Sequence, residues 1–441
     1  MDATVLRQIQ DILSHNNRLV TDFKTAIENA PSEDFKVVIR ADKTPLGEHP
    51  RRYNAPEVPE VAILLVDDQH ERRDIVIQSR QDGPLQHICE THRSYDALQY
   101  PLLFCHGEDG YHFTIPLVDP VTGNALPGKK TSSMQFYCFR LMVRNDMYNH
   151  LFYFRHLFYH FLVHMFAKID SEWLRYIRQN QKKLRATEYI HLRDAVNNDV
   201  DVRDIGQFVI LPSSHTGSPR YMHERTQDAM TYVRKYGRPD LFITFTCNPK
   251  WEEIQDQLFQ GQLPSHRPDI IARVFRQKLL KLMDLLVKGK CFEDVICRMY
   301  TVEWQKRGLP HAHILLWLAE KIRSDQIDSV ISAELPDPAA DRQLYDIVTS
   351  QMIHGPCGTL NNSSPCMVDS KCSKKYPKKF VAETRSGVYA YPIYRRRSPE
   401  DGGITANLKV RGTEYRIDNS WVVPCCPLLT KAFKAHINVE F

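Results

Sequence analysis

Two histidines one residue apart, His311 and His313, flank Ala312 in a run rich in apolar residues, Pro310 to Leu318. Side chains alternate faces along a strand, so both imidazoles would leave the same side and could grip one divalent ion. An isolated H-x-H is a weak signal, and surface or core histidines are the commoner explanation. Its neighbourhood strengthens it. Glu303 and Gln305 share a face of the preceding run, and the connector Lys306-Arg307-Gly308-Leu309-Pro310 reads as a hairpin that folds that face beside the histidines. Two imidazoles plus an oxygen ligand suit Mg2+ or Mn2+ bound in an open site better than a closed structural zinc. Such an ion acts as a Lewis acid on a phosphate, leaving attack to a nucleophile from elsewhere.

A second set of ligand types lies further on: His354, Cys357, Cys366 and Cys372. Cys3His is a common structural zinc set, although this spacing is irregular for a zinc finger and free buried thiols are the plainer alternative. A loop-rich segment with little apolar content favours Zn2+ as what holds it together. A basic run starts in the same place. Between residues 371 and 397, Lys371, Lys374, Lys375, Lys378, Lys379, Arg385, Arg395, Arg396 and Arg397 face the single acid Glu383. This is either a solvated surface or a clamp for a nucleic-acid backbone, with Lys374, Lys375, Lys378, Lys379, Arg395, Arg396 and Arg397 as the candidate contacts.

The elements that must position these residues are legible in outline. Residues 1–130 carry short β-branched runs between polar turns and read as a small mixed β domain; residues 131–200 read as a helical segment. Residues 201–345 hold the candidate core around the histidine pair. Within it, Phe208–Leu211 and Leu241–Thr246 read as strands and Tyr221–Tyr236 as a helix. A second helix, Ile270–Val287, should stop at Gly289, ahead of two hairpin strands, Val295–Gln305 and His311–Leu318. Residues 346–395 form the Cys/His basic module and 396–441 a C-terminal segment. The fold class expected is α+β: a central antiparallel sheet with flanking helices, preceded by the small β domain and helical segment and followed by a Cys-rich loop module.

With 441 residues, 42% hydrophobic and 25% charged, the chain is ordinary for a globular protein of several domains, and a net charge of +5 by itself says little about partners. The N-terminus lacks the pattern of a secretory signal or transit peptide. Leu151–Phe166 is the most apolar stretch, but Arg155, His156, His160 and His164 interrupt it, so it reads as a buried helix and not a membrane span. Eleven cysteines without a signal peptide point to thiols or metal ligands. Cys89, Cys105, Cys138, Cys247, Cys291 and Cys297 are scattered and read as buried hydrophobes. Tyr232 and Tyr236 have helical spacing in an apolar setting that favours core packing.

The run Glu303–Leu316 (EWQKRGLPHAHILL) resembles the metal-binding hairpin of Helitron replication initiators, members of the HUH endonuclease superfamily. Further segments are similar to Helitron sequences: Ser94–Phe104, Leu211–Met222, Pro239–Trp251, and the runs around Cys357 and Cys366. The resemblance implies a central antiparallel sheet with the metal hairpin at its middle. It also implies rolling-circle nicking and joining of single-stranded DNA at transposon ends, and, in a eukaryote, a nuclear location. It places the third ligand on Gln305, with Glu303 as runner-up. The family's nucleophile is a pair of tyrosines on a helix C-terminal to a segment like Ala435–Glu440, and the sequence ends at Phe441. The expectation is therefore a replication-initiator region without its catalytic tyrosines, with the family's helicase domain supplied in trans or in a longer chain. The alternative is a transposon-derived, non-catalytic single-stranded DNA-binding protein. Tyr389, Tyr391 and Tyr394 are assigned no catalytic role, and Cys425-Cys426 stands where relatives would carry Tyr-Asn.

Overall fold

A computed structural model describes residues 3–21, 62–64, 75–78, 86–144, 148–180, 211–305, 308–323, 326–387, 392–410 and 412–441. The strand expected at Phe208–Leu211 lies outside them except for Leu211, and so do Tyr389, Tyr391 and the end of the expected helical segment. The chain divides into two compact units, Met1–Ile210 and Leu211–Phe441.

In the first unit the expected β runs form a three-stranded antiparallel sheet, β1 (Ala62–Leu64), β2 (Ile75–Gln78) and β3 (Gln86–Ile88), and a hairpin, β4 (Pro116–Val118) with β5 (Ala125–Lys130). Helices not anticipated in this stretch are α1 (Ala3–Asn16) and the short α2 (Tyr95–Gln99). Then come α3 (Ser133–Arg140), whose start is fixed by a capping box between Ser132 and Gln135, and the long α4 (Arg155–Gln179). The apolar stretch within α4 is half-buried: Phe158, Phe161 and Met165 face inward, whereas Phe166 is exposed. Its amphipathic period, with histidines interleaved, accounts for the difference. At the unit's centre the buried Asp96 accepts hydrogen bonds from the Tyr137 hydroxyl (2.9 and 3.1 Å) and pairs with Lys168 at 3.1 Å. A buried charge is tolerated where it is paired and hydrogen-bonded in this way.

The second unit is built on a four-stranded antiparallel sheet. Helix α5 (Pro219–Tyr236) leads to β6 (Leu241–Thr246), and α6 (Pro268–Val287) leads to the hairpin of β7 (Val295–Trp304) and β8 (Pro310–Leu318). After α7 (Arg342–Gln351) come four two-residue strands, β9 (Met367–Val368), β10 (Lys371–Cys372), β11 (Arg385–Ser386) and β12 (Pro392–Ile393). The chain continues through the hairpin β13 (Ala406–Val410) and β14 (Thr413–Ile417) and helix α8 (Pro427–Phe433) to β15 (Ile437–Glu440). The sheet order is β15-β6-β8-β7, so the chain's last strand lies beside β6, with Ile437 opposite Phe245 and Asn438 opposite Thr244.

One face of this sheet is a core; the other is open around the two histidines, although Trp317 farther along β8 on that side is buried, its Nε1–H donating to the Gly237 carbonyl (2.8 Å). Ile243, Phe245, Ala312, Ile314, Leu316, Ile437 and Val439 are buried together with Ile271, Phe275, Leu279, Leu282 and Leu286 of α6, whose spacing of three and four makes a single helical stripe. The helix ends where expected: a Cβ on Gly289 would sit 2.6 Å from the Leu285 carbonyl oxygen, so only glycine fits there. On the opposite face, Phe242, Thr244, Thr246, His311, His313, Leu315, Asn438 and Glu440 are half-buried or exposed. This alternation belongs to an antiparallel sheet with one covered side. Helix α5 has no buried residue. Tyr232 is exposed and Tyr236 half-buried, so the core packing expected of them does not occur.

The cysteines also differ from expectation. Of the six scattered ones, Cys247 is buried, four are half-buried and Cys138 is exposed on α3. Among the described residues no helix is long and apolar enough to cross a membrane.

Candidate metal centres and the basic segment

The hairpin does what its spacing demands. Register pairing sets Glu303 opposite His311 and Thr301 opposite His313, all on the open face, with Thr246 and Thr244 on the other side of the same histidines. The Glu303 carboxylate oxygen Oε2 lies 3.5 Å from His311 Nε2 and 3.8 Å from His313 Nε2. Donor atoms of these three residues come within 4.8 Å of one another. Gln305 shares the face but stands just past the end of β7. Its backbone closes the turn, the N–H donating to the Leu309 carbonyl (2.9 Å) and the carbonyl accepting from Gly308 N–H (2.8 Å). Gly308 has φ +80°, a left-handed conformation that glycine adopts without strain. The structure thus brings the runner-up, Glu303, against both imidazoles and leaves Gln305 exposed at the rim.

The two rings are held differently. Thr244 Oγ1 lies 3.2 Å from His313 Nδ1, and the Phe242 ring stacks on His313 at 5.5 Å with 8° between planes. With Nδ1–H donating to the hydroxyl, the Nε2 lone pair is directed toward Glu303, the arrangement in which an imidazole serves as a ligand. The sequence placed threonines on this strand but did not identify Thr244 as this partner, because the contact depends on the β6–β8 register. Burial, followed by the neighbouring His311, holds the His313 pKa below its ordinary value, with Glu303 acting the other way. The ring is therefore neutral, as metal ligation requires. His311 Nδ1 is buried without a hydrogen-bond partner. Two nitrogens and a carboxylate at a half-open rim fit a divalent ion that keeps coordination positions for other oxygens.

The second ligand set also converges. His354, Cys357, Cys366 and Cys372 present atoms within 4.8 Å of one another, and Cys372 Sγ is 3.4 Å from His354 Nε2. The β9–β10 hairpin folds two of the cysteines together, turning at Asp369 and Ser370, both with positive φ. His354 arrives on a segment whose N–H donates to the Trp421 carbonyl (2.9 Å), and its ring stacks on Tyr376 at 4.2 Å. Gly355, at φ +104°, passes so close to Trp421 that a Cβ would lie 3.1 Å from its ring. Burial pushes the Cys357 thiol up to about 12, and its two thiol neighbours add to this. Burial also works against the Cys372 thiolate, but backbone N–H groups near Tyr376 and Lys374 bring it below the ordinary thiol range. A cluster of three sulfurs and one imidazole, in which one thiol is held up by burial and another is drawn down, is compatible with zinc, which would neutralise the thiolates.

The basic segment divides in two. Lys374, Lys375 and Lys379 are exposed; Lys378 is half-buried, donating to the Lys374 carbonyl (2.9 Å) and lying over Tyr376. The arginines are engaged within the protein, and for Arg396 this corrects the expectation of a nucleic-acid contact. Arg396 is buried, its Nη1 donating to the carbonyls of Ala333 (3.2 Å), Asn419 (2.5 Å) and Val422 (2.7 Å). Arg397 forms a two-pronged pair with the buried Glu334 (3.0 and 2.8 Å), and Arg395 lies 3.3 Å from the same carboxylate. Burial pushes the Glu334 pKa up, but the Arg397 hydrogen bonds outweigh it and leave the carboxyl below its ordinary value. Phosphate cannot reach Arg396, whereas Arg395 and Arg397 are paired with Glu334 yet keep 37% and 47% of their side chains exposed. Tyr394 is likewise structural: buried, its hydroxyl accepts from Phe441 N–H at 2.9 Å.

Residues 136–316 match the family model described as Helitron helicase-like domain at N-terminus. The interval contains β6, α6, β7 and the histidine pair of β8, and it stops short of the Cys/His cluster. This part of the chain is similar to Helitron proteins and points to a Helitron transposase-related protein. No curated protein matches the chain.

Proposed function

We propose that the chain is a rolling-circle replication-initiator region of a Helitron-type transposase, of the HUH nuclease kind, that binds single-stranded DNA at transposon ends. The observation that carries this reading is the convergence of His311 Nε2, His313 Nε2 and Glu303 Oε2 on the open face of the sheet, inside the Helitron-like interval. In this reading His311 and His313 hold Mg2+ or Mn2+, with Glu303 and, at the rim, Gln305 as oxygen ligands. The ion supplies Lewis-acid polarisation of a scissile phosphate. Thr244 and Phe242 keep His313 aimed, and the open face admits a strand from one side. Lys374, Lys375, Lys378 and Lys379 supply backbone contacts from the Cys/His module, whose zinc fixes the loop that bears them. Such a protein works where genomic DNA is, in the nucleus of a eukaryote.

The register neighbours of the two histidines are Thr246, Thr244, Thr301 and Glu303, with no tyrosine among them. Among the described residues the histidine face of the sheet therefore offers a cradle for the phosphate with no phenol beside it, which supports the reading that the chain binds without cleaving. A labelled oligonucleotide tests both halves. Binding should weaken steeply with salt, by about 0.7 logarithmic units per tenfold salt for each phosphate neutralised, and no covalent protein–DNA adduct should form with Mn2+ present. Salt-insensitive or absent binding would overturn the DNA reading. A tyrosine-linked adduct would overturn the non-cleaving one.

A further inference from the structure

Among the described residues strand β7 is an edge of the four-stranded sheet, and its two faces have different neighbours. On the open face it carries Thr301 and Glu303. On the other, Arg298, Tyr300, Val302 and Trp304 stand opposite Leu316, Ile314, Ala312 and Pro310. Those four partners on β8 are buried, with Ala312, Ile314 and Leu316 packed in the same core as α6, but that cover stops before β7. Tyr300 is 45% exposed, Val302 46% and Trp304 52%, and Arg298 is exposed as well. β7 has its bulge at Val295–Cys297 and its charges at Arg298 and Glu303, so the aromatic side chains displayed beyond the bulge, at Tyr300 and Trp304, stand out as a surface with a use.

We propose that this rim of β7 is a base-stacking platform for single-stranded DNA, with Tyr300 and Trp304 receiving bases and Arg298 facing the backbone. The proposal rests on the reading of the metal site above and extends it to where the strand goes next. Residues two apart on a strand are about 7 Å apart and those four apart about 13 Å, so the two rings can engage separate bases with Val302 between them. Every base has a π-face, which makes such a platform indifferent to sequence, and the guanidinium supplies the complementary charge. Lys306 and Arg307 follow directly in the connector sequence, and no acid lies between Arg298 and Val302. Glu303 and Trp304 are consecutive, so a strand whose phosphate meets the metal site need only turn over the edge of β7 to reach the platform.

The test is a fluorescence titration of the full chain with oligothymidylate, comparing wild type, Tyr300→Ala, Trp304→Ala, the double variant and Trp304→Phe, each also titrated with Mn2+. Each alanine should weaken DNA binding by about 5- to 150-fold, the range for one lost base stack. Trp304→Phe should retain most of the affinity, and Mn2+ uptake should stay unchanged throughout. Wild-type affinity in the double variant would overturn the platform. So would loss of self-association with DNA affinity intact, which would mark the rim as a contact between copies. His311→Ala and His313→Ala, titrated alongside, separate the two readings: DNA binding that ignores both Mn2+ and the histidines marks failure of the metal reading, whereas failure of the platform shows only in the Tyr300 and Trp304 variants.

Discussion

Replacing Thr244 by valine keeps the shape and β-propensity of the side chain and removes one hydroxyl, 3.2 Å from His313 Nδ1. That hydrogen bond is long for its kind and serves a ring whose side chain is 31% exposed, so its direct worth is at the low end, about 0.5–1 kcal/mol. Its indirect effect is larger. Without the acceptor, the ring proton is no longer held on Nδ1, and a fraction of rings present Nε2–H to the ion instead of a lone pair. Loss of a partner behind a metal-ligating histidine typically costs 10- to 100-fold in affinity. Phe242 still stacks on the ring and Glu303 still faces it, so we expect the lower value: about tenfold weaker Mn2+ binding, ~1.4 kcal/mol. Calorimetric titration of the full chain measures this, with Thr244→Ser as the variant that restores affinity. Mn2+ affinity within twofold of wild type in Thr244→Val would refute the claim that the hydroxyl positions His313.

Arg396→Met should leave DNA affinity untouched in the folded protein yet lower stability by about 3–5 kcal/mol, because buried carbonyls lose their donor; chemical denaturation set beside oligonucleotide binding checks it. Cys372→Ser should abolish a stoichiometric zinc found by elemental analysis of the wild-type protein, and a zinc-free wild type would remove the second centre. For pH, the His92 pKa is lowered to about 4, by burial first and then by Arg93, and its Nδ1 must remain unprotonated to accept from Ser94 N–H at 3.1 Å. A depressed histidine pKa means that the unfolded chain takes up the proton first. The stability contribution is therefore complete above about pH 6.5 and is lost as pH falls from there toward about 4. Melting curves across that window should fall more steeply for wild type than for His92→Gln, and equal slopes would contradict the assignment.

What the sequence disclosed follows from the range of the interactions involved. Leu241–Thr246, Pro268–Val287 and the β7–β8 hairpin are governed by local alternation, helical period and a glycine turn, so their positions and the shared face of His311, His313 and Glu303 could be read directly. Strand β15 could not: four residues long, it pairs with β6 almost two hundred positions earlier, and nothing in Ile437–Glu440 names that partner. The same limit explains Arg395, Arg396 and Arg397. A run of charge looks like a surface until Glu334 and the carbonyls of Ala333, Asn419 and Val422, all distant in sequence, are found around it. Which of Glu303 and Gln305 lies against the imidazoles depends on one strand step at the end of a hairpin, which periodicity does not resolve. Tyr232 was misjudged because helical spacing shows which residues share a face and not whether anything covers it.

The central claim is that the open face of the sheet holds a divalent ion through His311 and His313. Mn2+ titration of the full chain and of the His311→Ala, His313→Ala double variant, with circular dichroism to confirm folding, tests it most directly. The account predicts one Mn2+ site in the wild type that is absent from the folded variant. Undiminished Mn2+ binding in the variant would contradict it.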